Sequence, residues 1–419
     1  MSVQSQIHAV VVGGGIGGLF AANALIAHGI RVSVYEQAAA LGEIGAGLIL
    51  TPNSLRQLCN IGLGPRVERK GARIGPGSSF LRQDGTPIAP YLVGDSSGSA
   101  ELFGIHRADL VEILAGALPD GVVHTGCRCT GFDQNGDTAR VRFANGVEAE
   151  GDLVIGADGV HSELRRVVAP VGAAVFSGSV VYRGLVPRER IPDWPTGSWL
   201  MWLGKEKHFL AYPVRGDAVI NYAGFVPARE ATTESWSSPG DPDALRQEFD
   251  AWDRRIASLL GHVEATFCWA LYDREALASW TLGRLTLLGD AAHPMLPHGG
   301  QGANQSIEDG MALATILAHA DRETIPPALL AYERMRRERV TAIQRRARDN
   351  GRRYDSTSQE LETRDAEIAA QAEFRKRLYA HDVAAEARAA AAALPGMGAP
   401  ASRFTHAGGR YGKPERVAR

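Results

Sequence analysis

Apolar and polar positions alternate with a changing period along this chain, and the changes mark its elements. Residues 8–12 form a short, β-branched, nearly all-apolar run, the pattern of a strand buried on both faces of a parallel sheet. Five glycines between Gly13 and Gly18 interrupt it. Apolar side chains then recur at helical spacing from Ile16 to Ala27, Gly29 stops the helix, and residues 31–35 resume as a second strand. The unit is strand, turn, helix, strand.

From about 71 to 100 the texture shifts to short polar–apolar segments, with a hairpin turn at Asp84-Gly85 and a Gly/Ser-rich loop over 94–99. Residues 110–118 predict a helix, 122–150 an antiparallel meander turning at Asn135-Gly136 and Asn145-Gly146, and 152–156 another buried strand. Between 177 and 272 lie alternating runs and six of the seven tryptophans, which predict an antiparallel sheet with an aromatic face. The parallel-type pattern returns at 284–288, followed by a Gly-rich turn and a helix over 303–320, so the first domain is discontinuous. Residues 327–353 carry nine arginines against three acids, but Leu329, Tyr332, Met335, Val340 and Ile343 recur among them, and an amphipathic helix with a solvated basic face fits better than a nucleic-acid patch. An alanine-rich helix over 384–393 stops at Pro395-Gly396, and the tail from Met397 is expected to be mobile.

The fold class is therefore α/β. A Rossmann-type dinucleotide-binding domain is expected over 1–73, 101–176 and 273–355. A mainly antiparallel substrate-binding domain is inserted over 74–100 and 177–272, and a C-terminal helix with its tail occupies 356–419.

Composition narrows the chemistry. The chain has 419 residues with 45 basic and 47 acidic side chains, a formal charge of −2, which gives no general attraction to nucleic acid. Residues 1–30 carry no Asp, Glu, Lys or Arg, yet their glycine cluster and two different periods argue against a signal peptide or a membrane span. The four cysteines form no C-x-x-C pair, so neither a metal site nor a disulfide frame is expected, and a reducing cytoplasm suits them.

In Gly13-Gly14-Gly15-Ile16-Gly17-Gly18 the first glycine permits the tight turn, Gly15 admits a pyrophosphate close to the backbone, and Gly18 lets helix and strand pack. Glu36 ends the second strand, where its carboxylate suits the hydroxyls of an adenosine ribose; FAD and NAD both satisfy this much. Asp158 follows the strand at 153–156, and Asp290 ends the strand at 285–288, where it suits an extended polyol such as the ribityl chain of FAD. The stretch from Pro297 to Asn304 ends at a helix start, whose open N–H groups can face a ring carbonyl and stabilise negative charge. Plainer readings stand beside these: a surface ion pair for Arg107, a helix cap for Asp158, and a simple Gly-rich loop at 297–304.

Taken with Gly45-Ala46-Gly47, Pro52-Asn53, His106 to Leu110 and Glu308-Asp309 in that order, these motifs resemble the single-component (group A) FAD-dependent aromatic hydroxylases, the family of salicylate hydroxylase and 6-hydroxynicotinate 3-monooxygenase. The resemblance runs from His8 to about Arg353. It implies FAD held by Gly13, Gly15, Ile16, Gly17, Gly18, Glu36, Gln37, Gly47, Arg107, Cys129, Asp158, Asp290, Gly302, Ala303 and Asn304. It further implies reduction by NADH or NADPH, and transfer of one oxygen atom from O₂, through a C4a-hydroperoxyflavin, to an electron-rich ring. Arg165 and Arg166 are the nearest cations for the nicotinamide nucleotide, though they equally read as solvated helix charges.

Substrate-side residues are expected at His208 and Tyr212, which share a strand face with Leu210 and offer a base or hydrogen-bonding pair, and at His298, with Met295 and Pro297 lining the pocket. A sheet-face His and Tyr satisfied by their neighbours is the competing reading. Ile49, Ala211 and Pro297 stand where some relatives carry polar groups. With Trp199, Trp202 and Phe225 near, that leads to the expectation of a larger or less charged aromatic substrate. Alternatives on the same scaffold are a flavin-dependent epoxidase or other oxidoreductase, and a non-catalytic flavin-binding protein, against which intact Glu36, Asp158 and Asp290 argue.

Overall fold

The computed structural model describes residues 7–42, 46–91, 101–170, 172–228, 238–356 and 361–397. Gly45, the loop expected over 94–99 and the tail beyond 397 lie outside the described residues.

Strand His8–Val12 pairs in parallel with Arg31–Tyr35 on one side and Leu153–Gly156 on the other, and Leu285–Leu287 extends the sheet in parallel beyond the latter. Ala9, Val10 and Val11 have no exposed surface, as their unbroken apolar run requires. Helix Ile16–Ala27 packs on helix Gly302–Leu317, which joins chain segments far apart in sequence into one core.

The meander is present as Cys129–Gln134, Ala139–Phe143 and Glu148–Gly151, but the residues ahead of it go elsewhere. Val123–His124 instead adds an edge strand to the parallel sheet beside Arg31–Tyr35, where the His124 ring stacks on Tyr35 at 4.8 Å. The helix expected over 110–118 starts earlier, spanning Arg107–Ala115, with Asp109 in its first turn, where the helix dipole favours an acid.

An eight-stranded sheet forms the second layer, in the order Pro239–Gly240, Thr266–Asp273, Val175–Pro187, Val219–Pro227, His208–Val214, Leu200–Leu203, Ser79–Arg82 and Pro87–Pro90. It is antiparallel except where Leu200–Leu203 runs parallel to Ser79–Arg82, two strands brought together from distant segments with no hairpin between them to set their direction. Strand periodicity divides its faces. Val180, Trp202, Phe209, Ala211 and Tyr222 pack on helices Pro242–Glu248 and Arg254–Leu260. Val181, Arg183, Trp199, Met201, Tyr212 and Phe225 face the opposite way. Trp202 and Ala211 therefore lie on the far face, and the expectation that they shape the pocket wall fails on alternation alone.

The basic segment is a 30-residue helix, Ile325–Tyr354, but its arginines are not uniformly solvated. Arg336 is wholly buried and bonds Glu308 at 2.6 Å and Asp309 at 2.8 Å. Where one C-terminal helix was expected there are two, Leu361–Ala380 and Val383–Ala392. The first is tied to the body by ion pairs from Arg82 to Asp365 (2.7 Å) and Arg353 to Glu367 (2.8 Å). Among the described residues no helix is long and apolar enough to cross a membrane.

Candidate active site

A single cavity of about 980 Å³ runs from the carboxyl ends of the parallel strands to the inner face of the eight-stranded sheet. Open parallel sheets bind ligands at that end because helix N-termini converge there.

Its first end is built by glycines. Gly13 has φ +116°, and a Cβ there would lie 2.1 Å from the Ala157 carbonyl oxygen. A Cβ on Gly18 would lie 2.0 Å from the Gly13 oxygen, so Gly18 serves packing and does not line the cavity. At Gly15 a Cβ would meet nothing within 4 Å, which leaves room for a ligand against the backbone. Gly13, Gly15, Ile16 and Gly17 line the space, and no side chain caps the helix that follows. Glu36 is fixed by accepting hydrogen bonds from the Gly14 amide (2.6 Å) and the Ala38 amide (2.8 Å), and Gln37 and Cys129 also line the cavity. Burial pushes the Cys129 thiol up to about 11, so it stays protonated.

Asp158 combines two of the expected roles. It lines the cavity, and it accepts from Ser162 (2.5 Å) and from the amides of Glu163 (2.9 Å) and Leu164 (3.2 Å) at the start of a helix. Arg165 is not placed for a nicotinamide nucleotide: its side chain is buried and spent on the carbonyls of Val160, Asp290 and Ala291, while Arg166 pairs with Glu163 at the surface.

Further along, Asp290 lines the cavity from the turn Gly289–Ala291, and among the described residues no hydrogen bond uses its carboxylate. Arg107 lies close: burial lowers its pKa and Asp290 opposes that. Helix Gly302–Leu317 begins without a side-chain cap, and Gly302 and Ala303 line the space with their amides unclaimed by helix bonding. Asn304 turns inward instead, donating to the Ile49 (2.9 Å) and Gly300 (2.6 Å) carbonyls and accepting from the Thr51 amide (3.0 Å). It shapes the loop and does not line the cavity. Gly47 is held from both sides, its amide by Asn221 (2.7 Å) and its carbonyl by Arg183 (2.8 Å). Uncapped helix starts, an open cradle at Gly15 and an unengaged carboxylate at Asp290 fit a long, anionic, polyhydroxylated dinucleotide.

Met295, Pro297 and Tyr212 line the end of the cavity beneath the eight-stranded sheet, its ring end; His208 and His298 do not. His208 shares the face of Leu210 and Tyr212, but Phe225 stacks over it at 4.1 Å and its Nδ1 bonds Asp355 at 2.6 Å. His298 lies 5.2 Å from it, centroid to centroid, in the space left by Gly351, where a Cβ would come within 2.7 Å of its ring. Burial, then His208, holds His298 well below the usual histidine pKa, and its carbonyl accepts from Asn350 (2.8 Å). Both rings stand behind the wall and brace the 297–302 loop.

Sequence reasoning missed several wall residues. Arg183 is half-buried, its Nε has no partner among the described residues, Tyr212 acts on it electrostatically, and it lies 5.4 Å from the Trp269 ring centroid. An arginine inside the apolar run 180–186 was a usable signal. Tyr91, Tyr354, Arg375 and Tyr379 come from the hairpin edge and the C-terminal helices, and nothing local marks them.

A family model described as an FAD binding domain matches residues 6–347. The chain belongs to that family. It is 39% identical over 382 residues to the 3-amino-4-hydroxybenzoate 2-monooxygenase PtnB3 of Streptomyces platensis, covering 89% of this chain and 96% of the relative. It is 35% identical over 385 residues to a Pseudomonas putida salicylate hydroxylase, covering 82% and 85%. A solved salicylate hydroxylase substrate complex superposes with a TM-score of 0.78 at 27% identity, covering 92% of this chain and 98% of that one. This flavoprotein is thus an FAD-dependent aromatic monooxygenase that uses NAD(P)H as reductant and O₂ as oxidant. In the hydroxylase, replacing Asp290 by alanine should weaken FAD about tenfold to a hundredfold by removing hydrogen bonds of about 1–3 kcal/mol. A flavin fluorescence titration giving unchanged affinity would contradict the role of that carboxylate.

Proposed function

We propose that this hydroxylase acts on a single-ring aromatic acid carrying an ionisable hydroxyl, an amino- or hydroxybenzoate. The observation that carries the reading is the Arg183–Tyr212 pair, a half-buried guanidinium and a buried phenol that interact electrostatically on the largely aromatic and aliphatic wall of the cavity. Burial, opposed by Arg183, pushes the Tyr212 hydroxyl up to about 12, so at neutral pH it is a donor and not a base. Together the pair supplies positive charge and a proton at the substrate hydroxyl, favouring the phenolate that makes the ring nucleophilic. The substrate named for the Streptomyces relative has this chemistry. The arginines weigh against the expectation of a larger or less charged substrate, which rested on Ile49, Ala211 and Pro297 with Trp199, Trp202 and Phe225 near them.

Bound FAD, once reduced by NAD(P)H, would activate O₂, one atom of which goes to the ring and the other to water. In this reading Gly13, Gly15, Ile16 and Gly17 hold its pyrophosphate, Glu36 and Gln37 the ribose, and Asp290 and Arg107 the middle of the molecule. The amides of Gly302 and Ala303 face its ring. Phe225, Trp269, Leu210 and Met201 keep water from the reacting atoms. The test is NAD(P)H oxidation by purified holoenzyme across substituted benzoates, phenols and multi-ring aromatics. Coupled turnover should be highest with amino- and hydroxybenzoates, and highest turnover with multi-ring or uncharged aromatics would overturn the reading.

A further inference from the structure

Beyond the half-buried Arg183, the ring end of the cavity holds a buried arginine that comes from outside both sheets. Helix Leu361–Ala380 crosses the hairpin edge and turns Arg375, Tyr379 and Leu378 into the cavity. The Arg375 guanidinium lies 5.4 Å from the ring centroids of both Phe80 and Tyr91. Tyr91 in turn stacks on Trp199 at 3.7 Å, so the guanidinium closes one end of an aromatic slot.

Arg375 is 8% exposed, and among the described residues its Nε and Nη2 have no hydrogen-bond partner. Among the described residues no carboxylate pairs with it. The acids that line the cavity, Glu36, Asp158, Glu163 and Asp290, all belong to the nucleotide half, whereas the ring half carries Arg183, Arg346 and Arg375. A buried guanidinium stripped of water and given no counter-charge is costly unless an anion completes it. Arg346 is differently engaged, bonded to Gln371 and stacked on Phe374 at 4.6 Å. Arg183 donates to the Gly47 carbonyl. Among the described residues Arg375 is thus the cation of the ring half with no protein acceptor bound to it.

We propose that Arg375, presented by the C-terminal helix, is the specificity-determining residue that binds the carboxylate of the aromatic acid. This rests on the aromatic-acid reading above and assigns its two anionic groups to two places, the hydroxyl to Arg183 and Tyr212 and the carboxylate to Arg375. The fork of a guanidinium suits a planar carboxylate, and the neighbouring rings flank a flat ligand. The helix, which carries no recognisable motif, thereby becomes part of the substrate site.

The test compares wild type, Arg375→Met and Arg375→Lys holoenzymes with 3-amino-4-hydroxybenzoate and 3-amino-4-hydroxybenzamide, which differ only in carboxylate against neutral amide. Dissociation constants come from perturbation of the flavin absorbance, KM and kcat from coupled NAD(P)H oxidation, and FAD content from the visible spectrum. Arg375→Met should raise Kd and KM for the benzoate about a hundredfold and change those for the benzamide less than about threefold. Arg375→Lys, which keeps the charge and the fold but loses the fork, should show about a tenfold loss confined to the benzoate. Equal losses for both ligands, or no loss for the benzoate in either variant, overturn the assignment while leaving the aromatic-acid reading intact. A wild type that binds and turns over neither compound nor any other benzoate overturns that reading and this assignment with it.

Discussion

Replacing Arg336 by methionine should destabilise the protein by about 3–5 kcal/mol at neutral pH, the cost of removing one partner from a buried ionic cluster. Glu308 and Asp309 have no exposed surface and share this guanidinium, which also bonds the Gln305 side chain at 2.8 Å. Burial drives both carboxyls toward the neutral form, but Arg336, Arg339 and His381 around Glu308, and His293 and Arg336 around Asp309, outweigh it and hold both pKa values below the usual range. A carboxyl whose folded pKa is depressed stabilises the protein above its unfolded value near about 4, and that stability is lost as pH falls through the folded pKa. In the methionine variant burial acts less opposed, both carboxyls take up protons at higher pH, and the deficit against wild type should be largest at neutral pH and shrink toward acid. Urea unfolding midpoints in excess FAD, measured between about pH 7 and pH 5, check this. An unchanged midpoint at pH 7 contradicts the account of the cluster.

Arg183→Met should lower kcat about a hundredfold to a thousandfold, the usual consequence of removing a donor aimed at developing negative charge. FAD should stay bound, because Asn221 still grips the Gly47 amide and the nucleotide half is untouched. The pH profile separates this from damage at a distance. If Arg183 holds the substrate hydroxyl in its ionised form, the apparent pKa of that hydroxyl rises in the variant and the ascending limb of the profile moves to higher pH. A uniform loss with an unshifted limb would make Arg183 a support for Gly47 alone.

The nucleotide half was legible in the sequence because its demands are local. Gly13 needs a positive φ, Gly18 must clear the Gly13 carbonyl, and Glu36 must end the neighbouring strand, all within a span of 24 residues. The ring half was legible only in its periodicity. Alternation placed His208, Leu210 and Tyr212 on one face, but Phe225, Tyr354 and His298 cover His208, and they arrive from other strands and helices. Trp202 was misplaced because nearness in sequence was allowed to stand for a shared face, and Ala211 because it was taken from the resemblance without regard to strand alternation. Val123–His124 is too short to carry a strand pattern of its own. Arg336 read as part of a solvated basic face, and nothing local singled out Arg375, because partners such as Glu308, and rings such as Phe80 and Tyr91, are supplied only by tertiary packing.

Turnover under ¹⁸O₂ with NAD(P)H and 3-amino-4-hydroxybenzoate tests most directly whether one cavity joins a flavin cradle to an aromatic-acid chamber. One ¹⁸O atom in a new ring hydroxyl, with NAD(P)H consumed in near-equal amount, is the expected result. Label found only in hydrogen peroxide for every aromatic acid tried, with no hydroxylated product, would contradict it.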